Sequence, residues 1–409
     1  MRLLFIAALS LCALIIDYQI YKHISKRTKR HANSRWINRL YIGYALTIDL
    51  FIFAFIFLVF RWPFYGPHSV SPLPLWLAWL FFLHTIPKCA YFLFHRASKC
   101  MGKRLGKWTR RLGLAFALYT AFVLLKGAFY NTTRFEVKYI NIESEKIPPA
   151  FNGYRVALFS DMHLGNLSRQ ERFLRAFVEQ LNCLRPDMVV HTGDLVNMYA
   201  AEITPEVQAI LSQLHAPDGV YGVLGNHDMG PYFGKRVAKI GLTPLENTRL
   251  VVLRQEEMGW KVLQNESLHI RRGVDSIAIG GLPYPPLPPH FPDSLTNFDL
   301  QLATRLLDTT RFNIMLCHTP LVWETMRHTP AFKPIDLLLC GHTHAMQTKI
   351  EIGAWKWSPA KWMYPYWSGL YKDDGRYLYV NEGVGYVLYP MRIGGKSEIT
   401  LITLINKQL

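Results

Sequence analysis

The chain has 409 residues, of which 50% are hydrophobic, 14% aromatic and 18% charged. Apolar content this high with so few charges can bury a core, which excludes a disordered chain, and the length exceeds what one small domain needs. The formal charge of +17 is localised: residues 1–130 hold 18 Lys and Arg against two acids, while the remaining 279 residues hold 28 against 27. The basicity belongs to the front third, and no nucleic-acid partner is expected.

Four apolar stretches fill that front third, near Leu3–Ile20, Leu40–Phe60, Leu75–Phe94 and Leu112–Tyr130. Each is close to the ~20 residues that cross a hydrocarbon core. The first opens on Met-Arg and is short enough to resemble a cleaved signal. However, Asp17 sits near its end, no clean small-residue cleavage site follows, and three more stretches come after it, so a retained helix is expected. Charges are costly in lipid, so Asp49 and Lys88 are expected to face neighbouring helices, Pro87 to mark a kink, and Lys126 to snorkel to the interface. The reading is a transmembrane anchor of about four helices over residues 1–130.

The loops set its orientation. Lys22, Lys26, Arg27, Lys29, Arg30, Arg35 and Arg39 lie between the first two stretches, and Arg96, Lys99, Lys103, Arg104, Lys107, Arg110 and Arg111 between the last two. The middle loop, Trp62 to His68, has no Lys or Arg beyond Arg61 at its edge. Short basic loops stay in the cytoplasm. The chain is therefore expected to be a multi-pass inner-membrane protein whose residues 131–409 lie on the extracytoplasmic side.

From Thr132 the pattern changes. Phe135–Ile140 alternates like a half-buried strand, Tyr154–Phe159 and Met188–Val190 are short apolar runs, and Arg169–Leu184 has helical spacing. Later strands are expected at Phe312–Leu316 and Ile335–Cys340, with a proline-rich surface loop at Pro283–Pro292. Alternating strand and helix predicts a layered α/β or α+β domain. The six cysteines show no disulfide or zinc spacing; Cys12 and Cys89 lie in apolar stretches, Cys100 in a loop, and Cys183, Cys317 and Cys340 are expected to be buried thiols.

Polar clusters follow the apolar runs directly. They are Ser160-Asp161-Met162-His163, Gly193-Asp194, Gly225-Asn226-His227-Asp228, His318 and Gly341-His342-Thr343-His344. Any one has a bland reading as a turn or a packed histidine. All five lie at strand ends, where the loops of layered α/β folds converge on a ligand. Mixed carboxylate and imidazole donors suit manganese, iron or zinc better than magnesium alone.

In order and spacing these clusters resemble the calcineurin-like metallophosphoesterases, in particular a membrane-associated bacterial branch with a Ser-Asp-x-His start and a Gly-Leu-Tyr segment, here Gly369-Leu370-Tyr371. The resemblance runs from about Phe135 to the C-terminus. It implies a four-layer αββα sandwich and two divalent metal ions. Asp161, His163 and His344 would hold one ion, Asn226, His318 and His342 the other, and Asp194 would bridge both. It further implies that a shared water is made nucleophilic and attacks phosphorus. His227 would assist the leaving group, and Asp228 could orient its ring. Two departures stand out: Ala345-Met346 replaces a Gly-Gly pair, and Glu382 replaces an arginine before Gly383-Val384-Gly385.

Three functions fit these residues. One is hydrolysis of a phosphomonoester, phosphodiester or pyrophosphate, a lipid-linked one included. The second is a UDP-2,3-diacylglucosamine-type pyrophosphatase of lipid A synthesis, whose nucleotide substrate is cytoplasmic, opposite to the expected topology. The third is a non-catalytic metal-binding membrane module, against which the intact cluster with His227 argues. Between His344 and Tyr371 the chain also carries Trp355, Trp357, Trp362, Tyr364, Tyr366 and Trp367 among lysines, which suits either the headgroup level of a bilayer or an ordinary packed loop.

Overall fold

The computed structural model describes residues 14–22, 25, 36, 39–45, 47, 65–66, 69–70, 73–167, 170–229, 241–285, 298–353 and 355–409. The chain divides into two compact units, one of N-terminal helices with Leu388–Pro390, the other of Tyr65–Pro72, Tyr130–Val387 and Met391–Leu409.

In the first unit, α1 (Leu73–Ala97) and α2 (Lys103–Phe129) are each long and apolar enough to cross a membrane. They match the third and fourth apolar stretches. α2 buries Gly106, Gly113, Ala117, Gly127 and Ala128, and a Cβ on Gly113 would collide with Phe94 of α1. Small residues of this kind let two helices approach closely in apolar surroundings. Trp79 meets Phe129 at 5.4 Å and Phe94 meets Phe116 at 5.7 Å, so the pair is antiparallel.

The costly polar residues answer one another across helices. Lys88 donates to Asp17 Oδ1 at 2.6 Å, Tyr41 donates to the same oxygen at 2.9 Å, and His84 Nε2 lies 3.1 Å from Asp17 Oδ2. Residues 14–22 and 39–45 are helical, whereas the rest of the first two stretches, with Asp49, most of the middle loop and Pro286–Pro292, lies outside the described residues. Among the described residues two helices, not four, have the length and hydropathy of a membrane span.

In chain order the second unit runs β1 (Phe135–Ser144), β2 (Arg155–Phe159), α3 (Gln170–Cys183), β3 (Met188–His191), α4 (Pro205–Leu211), β4 (Val220–Gly222), α5 (Pro244–Glu257), β5 (Lys261–Val262), β6 (Glu266–Arg272), β7 (Asp275–Leu282), α6 (Leu300–Thr304), β8 (Asn313–Cys317), α7 (Leu321–Met326), β9 (Leu337–Cys340), β10 (Ile350–Ile352), β11 (Trp355–Trp357), β12 (Gly369–Asp373), β13 (Arg376–Val380) and β14 (Ser397–Asn406). Two six-stranded sheets form, in the orders β1-β14-β2-β3-β4-β5 and β12-β13-β9-β8-β7-β6. Strands β2 to β5 are parallel, as are β7, β8, β9 and β13.

Parallel strands covered on both faces read as continuous apolar runs, which is why Val156–Phe159 and Leu337–Cys340 show no alternation. Val156, Leu158, Val190 and Ile402 of the first sheet meet Ile279, Ile314, Leu316 and Leu339 of the second in one core. On the outer faces, Phe159 packs on Phe177 of α3 at 5.1 Å, and Met315, Leu338 and Leu378 pack on Trp323 and Phe332. The layers are helix, sheet, sheet, helix. The five described cysteines are free; Cys317 and Cys340 are buried as expected, whereas Cys183, at the end of α3, is exposed.

A buried ionic network joins β1 to the loops beside the sheets. Lys138 contacts Glu382 at 3.0 Å and Glu398 at 2.6 Å, and Lys349 contacts Glu382 at 2.9 Å. Burial opposes ionisation of Glu382, but Lys138 and Lys349 overcome it and hold the carboxyl at about 2, below its ordinary 4.5. Because the folded value is depressed, this stabilisation is present above pH 4.5 and is lost as pH falls from 4.5 toward 2. Glu382→Gln leaves Lys138 with Glu398 and Lys349 with Glu351 but removes the carboxylate they share, and is expected to cost about 1–3 kcal/mol. Urea unfolding at neutral pH measures that loss, and the variant should show a shallower decline of stability between pH 5 and pH 3 than wild type.

Candidate metal centre

Parallel strands end on a common edge, and here the polar clusters follow those ends. β2 leads to Asp161 and His163, β3 to Asp194, and β4 to Asn226, His227 and Asp228, while β8 leads to His318 and β9 to His342 and His344. The backbone there is strained. Asp161 (φ 52°), His163 (47°), Asp194 (54°), His342 (72°) and His344 (49°) all adopt the left-handed region, at roughly 1–2 kcal/mol each for a residue with a Cβ. Such strain persists where the surroundings over-determine it, and it concentrates at working sites. Gly225 is required by close approach, since a Cβ there would strike the Asp194 carboxylate.

The side chains converge. His344 Nε2 lies 3.1 Å from Asp161 Oδ1 and 3.0 Å from His163 Nε2. His318 Nε2 lies 3.1 Å from Asp194 Oδ2 and 3.0 Å from His342 Nδ1. Asp194 stands between the two groups, with Oδ2 also 3.6 Å from His163 Nε2. Donor atoms of Asp161, His163 and His344, and of Asp194, His318 and His342, each fall within 4.8 Å of one another, as do those of His163, Asp194 and His227. Asn226 Oδ1 is buried without a hydrogen-bond partner, and the facing nitrogens of His163 with His344 and of His318 with His342 have one proton to share in each pair when neutral. A cation between them would use these orphaned donors, and mixed oxygen and imidazole sets suit divalent transition metals.

The electrostatics fit a cation site. Burial works against the Asp161 carboxylate, yet His344, His318 and His163 hold it well below the usual range. Burial, with His318 beside it, pushes His342 down to about 3, favouring the neutral imidazole that a metal needs. His318 is also buried, but Asp194 overcomes that and raises it to about 9. Its Nδ1 is fixed by the Thr192 carbonyl at 2.6 Å, leaving Nε2 toward Asp194.

His227 is placed by a group the sequence did not suggest. Its Nδ1 lies 2.7 Å from the Asn197 carbonyl, and its backbone N–H donates to Asp194 Oδ1 at 2.8 Å. Asp228, expected to orient the ring, instead accepts from the backbone N–H groups of Val196 (3.0 Å) and Gly225 (2.9 Å). It clamps the loops after β3 and β4, because at full burial its carboxylate is satisfied best by backbone donors. Glu202 plays a similar part. It is buried and accepts from Gly165 (2.9 Å), Met198 (2.8 Å), Tyr199 (3.0 Å) and Asn197 (2.5 Å), joining the turn after His163 to the loop that holds His227. Its only sequence signal is an acid in an otherwise apolar stretch.

Both departures from the family pattern resolve physically. Ala345 (φ 49°) and Met346 (44°) keep the left-handed turn without glycine. Ser358 Oγ donates to the Ala345 carbonyl at 2.6 Å and Gln347 Nε2 to the Met391 carbonyl at 2.8 Å, pinning that turn. Glu382 turns into the lysine network, while the buried Arg392 donates to the carbonyls of Glu382, Gly383 and Gly385 at 3.0, 2.8 and 2.6 Å. The positive charge beside the Gly-x-Gly segment is thus supplied from ten residues downstream. Tyr364 OH lies 3.0 Å from His342 Nε2, a further contact on the cluster that sequence reasoning missed.

Residues 154–346 match the family model for calcineurin-like phosphoesterases. The chain carries a calcineurin-like metallophosphoesterase domain. It is accordingly a metal-dependent phosphoester hydrolase. A Bos taurus "Transmembrane protein with metallophosphoesterase domain" is 29% identical over 342 residues, covering 80% of this chain and 70% of that protein. That exceeds the 279 residues after position 130, so the likeness extends into the helical front of the chain. An uncharacterized Bacillus subtilis metallophosphoesterase is 29% identical over 296 residues, covering 71% of this chain and 94% of that protein. A Chlamydia trachomatis UDP-2,3-diacylglucosamine pyrophosphatase is 25% identical over 279 residues, covering 57% of this chain and 78% of that protein. Such metallophosphoesterase relatives are not confined to bacteria.

Proposed function

We propose that this metallophosphoesterase is anchored in the membrane, holds two divalent metal ions, and hydrolyses a phosphoester on the extracytoplasmic side. The observation that carries the reading is the convergence of buried donors from both sheets, with Asn226 Oδ1 left without a partner. Asp161, His163 and His344 would hold one ion and Asn226, His318 and His342 the other, with the Asp194 carboxylate shared. When bound, two such ions activate a water and offset the charge of the phosphoryl group.

The chain's own groups do the rest. Asp194 places its two oxygens between the histidine pairs and is held there by the His227 N–H. The Asn197 carbonyl favours a proton on His227 Nδ1, so Nε2 must first take up a second proton, against the effect of burial and helped by Asp194, before it passes that proton to the leaving oxygen. Strand-end loops fixed by Asp228 and Glu202 keep this geometry without substrate, which limits reorganisation on binding.

A second reading is favoured by the likeness to the diacylglucosamine pyrophosphatase. That substrate is nucleotide-linked and requires a cytoplasmic catalytic part, whereas the basic loops favour the opposite side. Full-length protein turned over with an aryl phosphodiester, with manganese and after chelation, tests the hydrolase. Activity that manganese restores is expected; equal rates in chelator would overturn it. A reporter fused after Tyr130 should behave as extracytoplasmic, and cytoplasmic behaviour would move the balance to the second reading.

A further inference from the structure

The segment between His344 and Tyr371 divides in two. Trp367 is buried against Ala345 and Ala360, with Tyr364 packed beside them. The rest stands out. β10 and β11 form an antiparallel ribbon whose cross-strand pairs are Ile350 with Trp357, Glu351 with Lys356 and Ile352 with Trp355. Side chains alternate across a strand, so Ile350, Ile352, Trp355 and Trp357 share one face, and Glu351 and Lys356 share the other. The apolar face continues into the next turn, because the Trp357 and Trp362 rings meet edge to face at 5.8 Å. Ile352 is 70% exposed, Trp355 55%, Trp362 77% and Met363 61%.

A two-stranded ribbon cannot bury such a face by itself, and an apolar patch this continuous marks a surface that is covered in use. Its chemistry selects the cover. Tryptophans beside an exposed Lys361 match the headgroup level of a bilayer, and the same chain carries two helices long enough to hold it at a membrane. Tyr364, two residues beyond Trp362, reaches His342 at 3.0 Å, so the exposed tip leads straight to the ligand cluster. Resting on the hydrolase reading above, we infer that this ribbon seats the cluster against a lipid surface and that the substrate is an amphiphilic phosphoester drawn from the bilayer.

The test uses full-length protein in phosphatidylcholine vesicles containing 20% phosphatidylglycerol, about that of an ordinary anionic membrane. Two variants are compared with wild type: Trp355→Phe with Trp362→Phe, and Ile352→Ser with Trp355→Ser and Trp362→Ser. Brominated lipid should quench wild-type fluorescence more than that of the double Phe variant, which locates the lost emission at the membrane. The triple Ser variant should lose about tenfold or more on a vesicle-borne fluorogenic phosphatidyl ester, with its rate on a soluble aryl phosphodiester within about twofold of wild type, showing that the fold and cluster are intact. Equal quenching of wild type and double variant, or equal losses on both substrates, overturns the inference while leaving a working hydrolase. Dimer formation in wild type that the triple variant abolishes also overturns it, in favour of a second copy of the chain. If wild type turns over neither substrate with any metal, the hydrolase reading fails, and with it the substrate assignment.

Discussion

Asp194→Asn should leave less than about a thousandth of wild-type turnover and strip most of the bound metal, because in the proposed centre the Asp194 carboxylate is shared by both halves of the cluster. Its Oδ2 lies 3.1 Å from His318 Nε2 and 3.6 Å from His163 Nε2, and its Oδ1 takes the His227 backbone N–H. The amide is nearly isosteric, so the His227 contact can persist through the amide oxygen and the fold is expected to survive. What goes is the negative charge that opposes repulsion between two cations. Metal content by plasma emission, taken beside far-ultraviolet circular dichroism, separates this from unfolding. A variant that keeps two equivalents of metal and the wild-type rate would show that Asp194 does not bridge the ions.

The placement of the cluster was legible in sequence because it rests on strong local signals. Short apolar runs such as Leu337–Cys340 announce strands buried on both faces, and a polar residue straight after each run can only lie at a strand end. Parallel pairing then gathers those ends on one edge, which brings Asp161 and His344 within 3.1 Å although they are 183 residues apart. The clamps were not legible. Asp228 was assigned to His227 because it follows it in the chain, yet adjacent side chains in a loop diverge, and its partners come from the backbone of two loops. Arg392 likewise supplies charge to a glycine segment seven to nine positions away, a link that only the folded backbone makes. In the helical front, Asp17 and Lys88 marked themselves by sitting in apolar surroundings, but that they pair across 71 residues is a tertiary fact.

His227→Ala separates proton transfer from metal holding. The ring stands edge-on to His163, with centroids 4.6 Å apart, and is anchored through Nδ1 to Asn197, and in the proposed mechanism its Nε2 serves the leaving group. kcat should fall by about 10²–10⁴-fold, the weight of one general acid, while metal content stays near wild type. The loss should shrink as the leaving group improves, because a good leaving group departs without a proton. A series of aryl phosphodiesters of falling phenol pKa is therefore the decisive measurement. A steeper dependence on phenol pKa in the variant than in wild type supports the assignment, and parallel slopes would remove His227 from the proton path. Glu202→Gln adds a control on positioning. Glu202 does not touch the cluster but holds the backbone of Asn197, whose carbonyl holds the ring. If it acts through His227, its kcat loss should be smaller than that of His227→Ala and should vanish when both changes are combined, since residues acting as one unit do not add. Losses that add would instead place Glu202 in the general support of the fold.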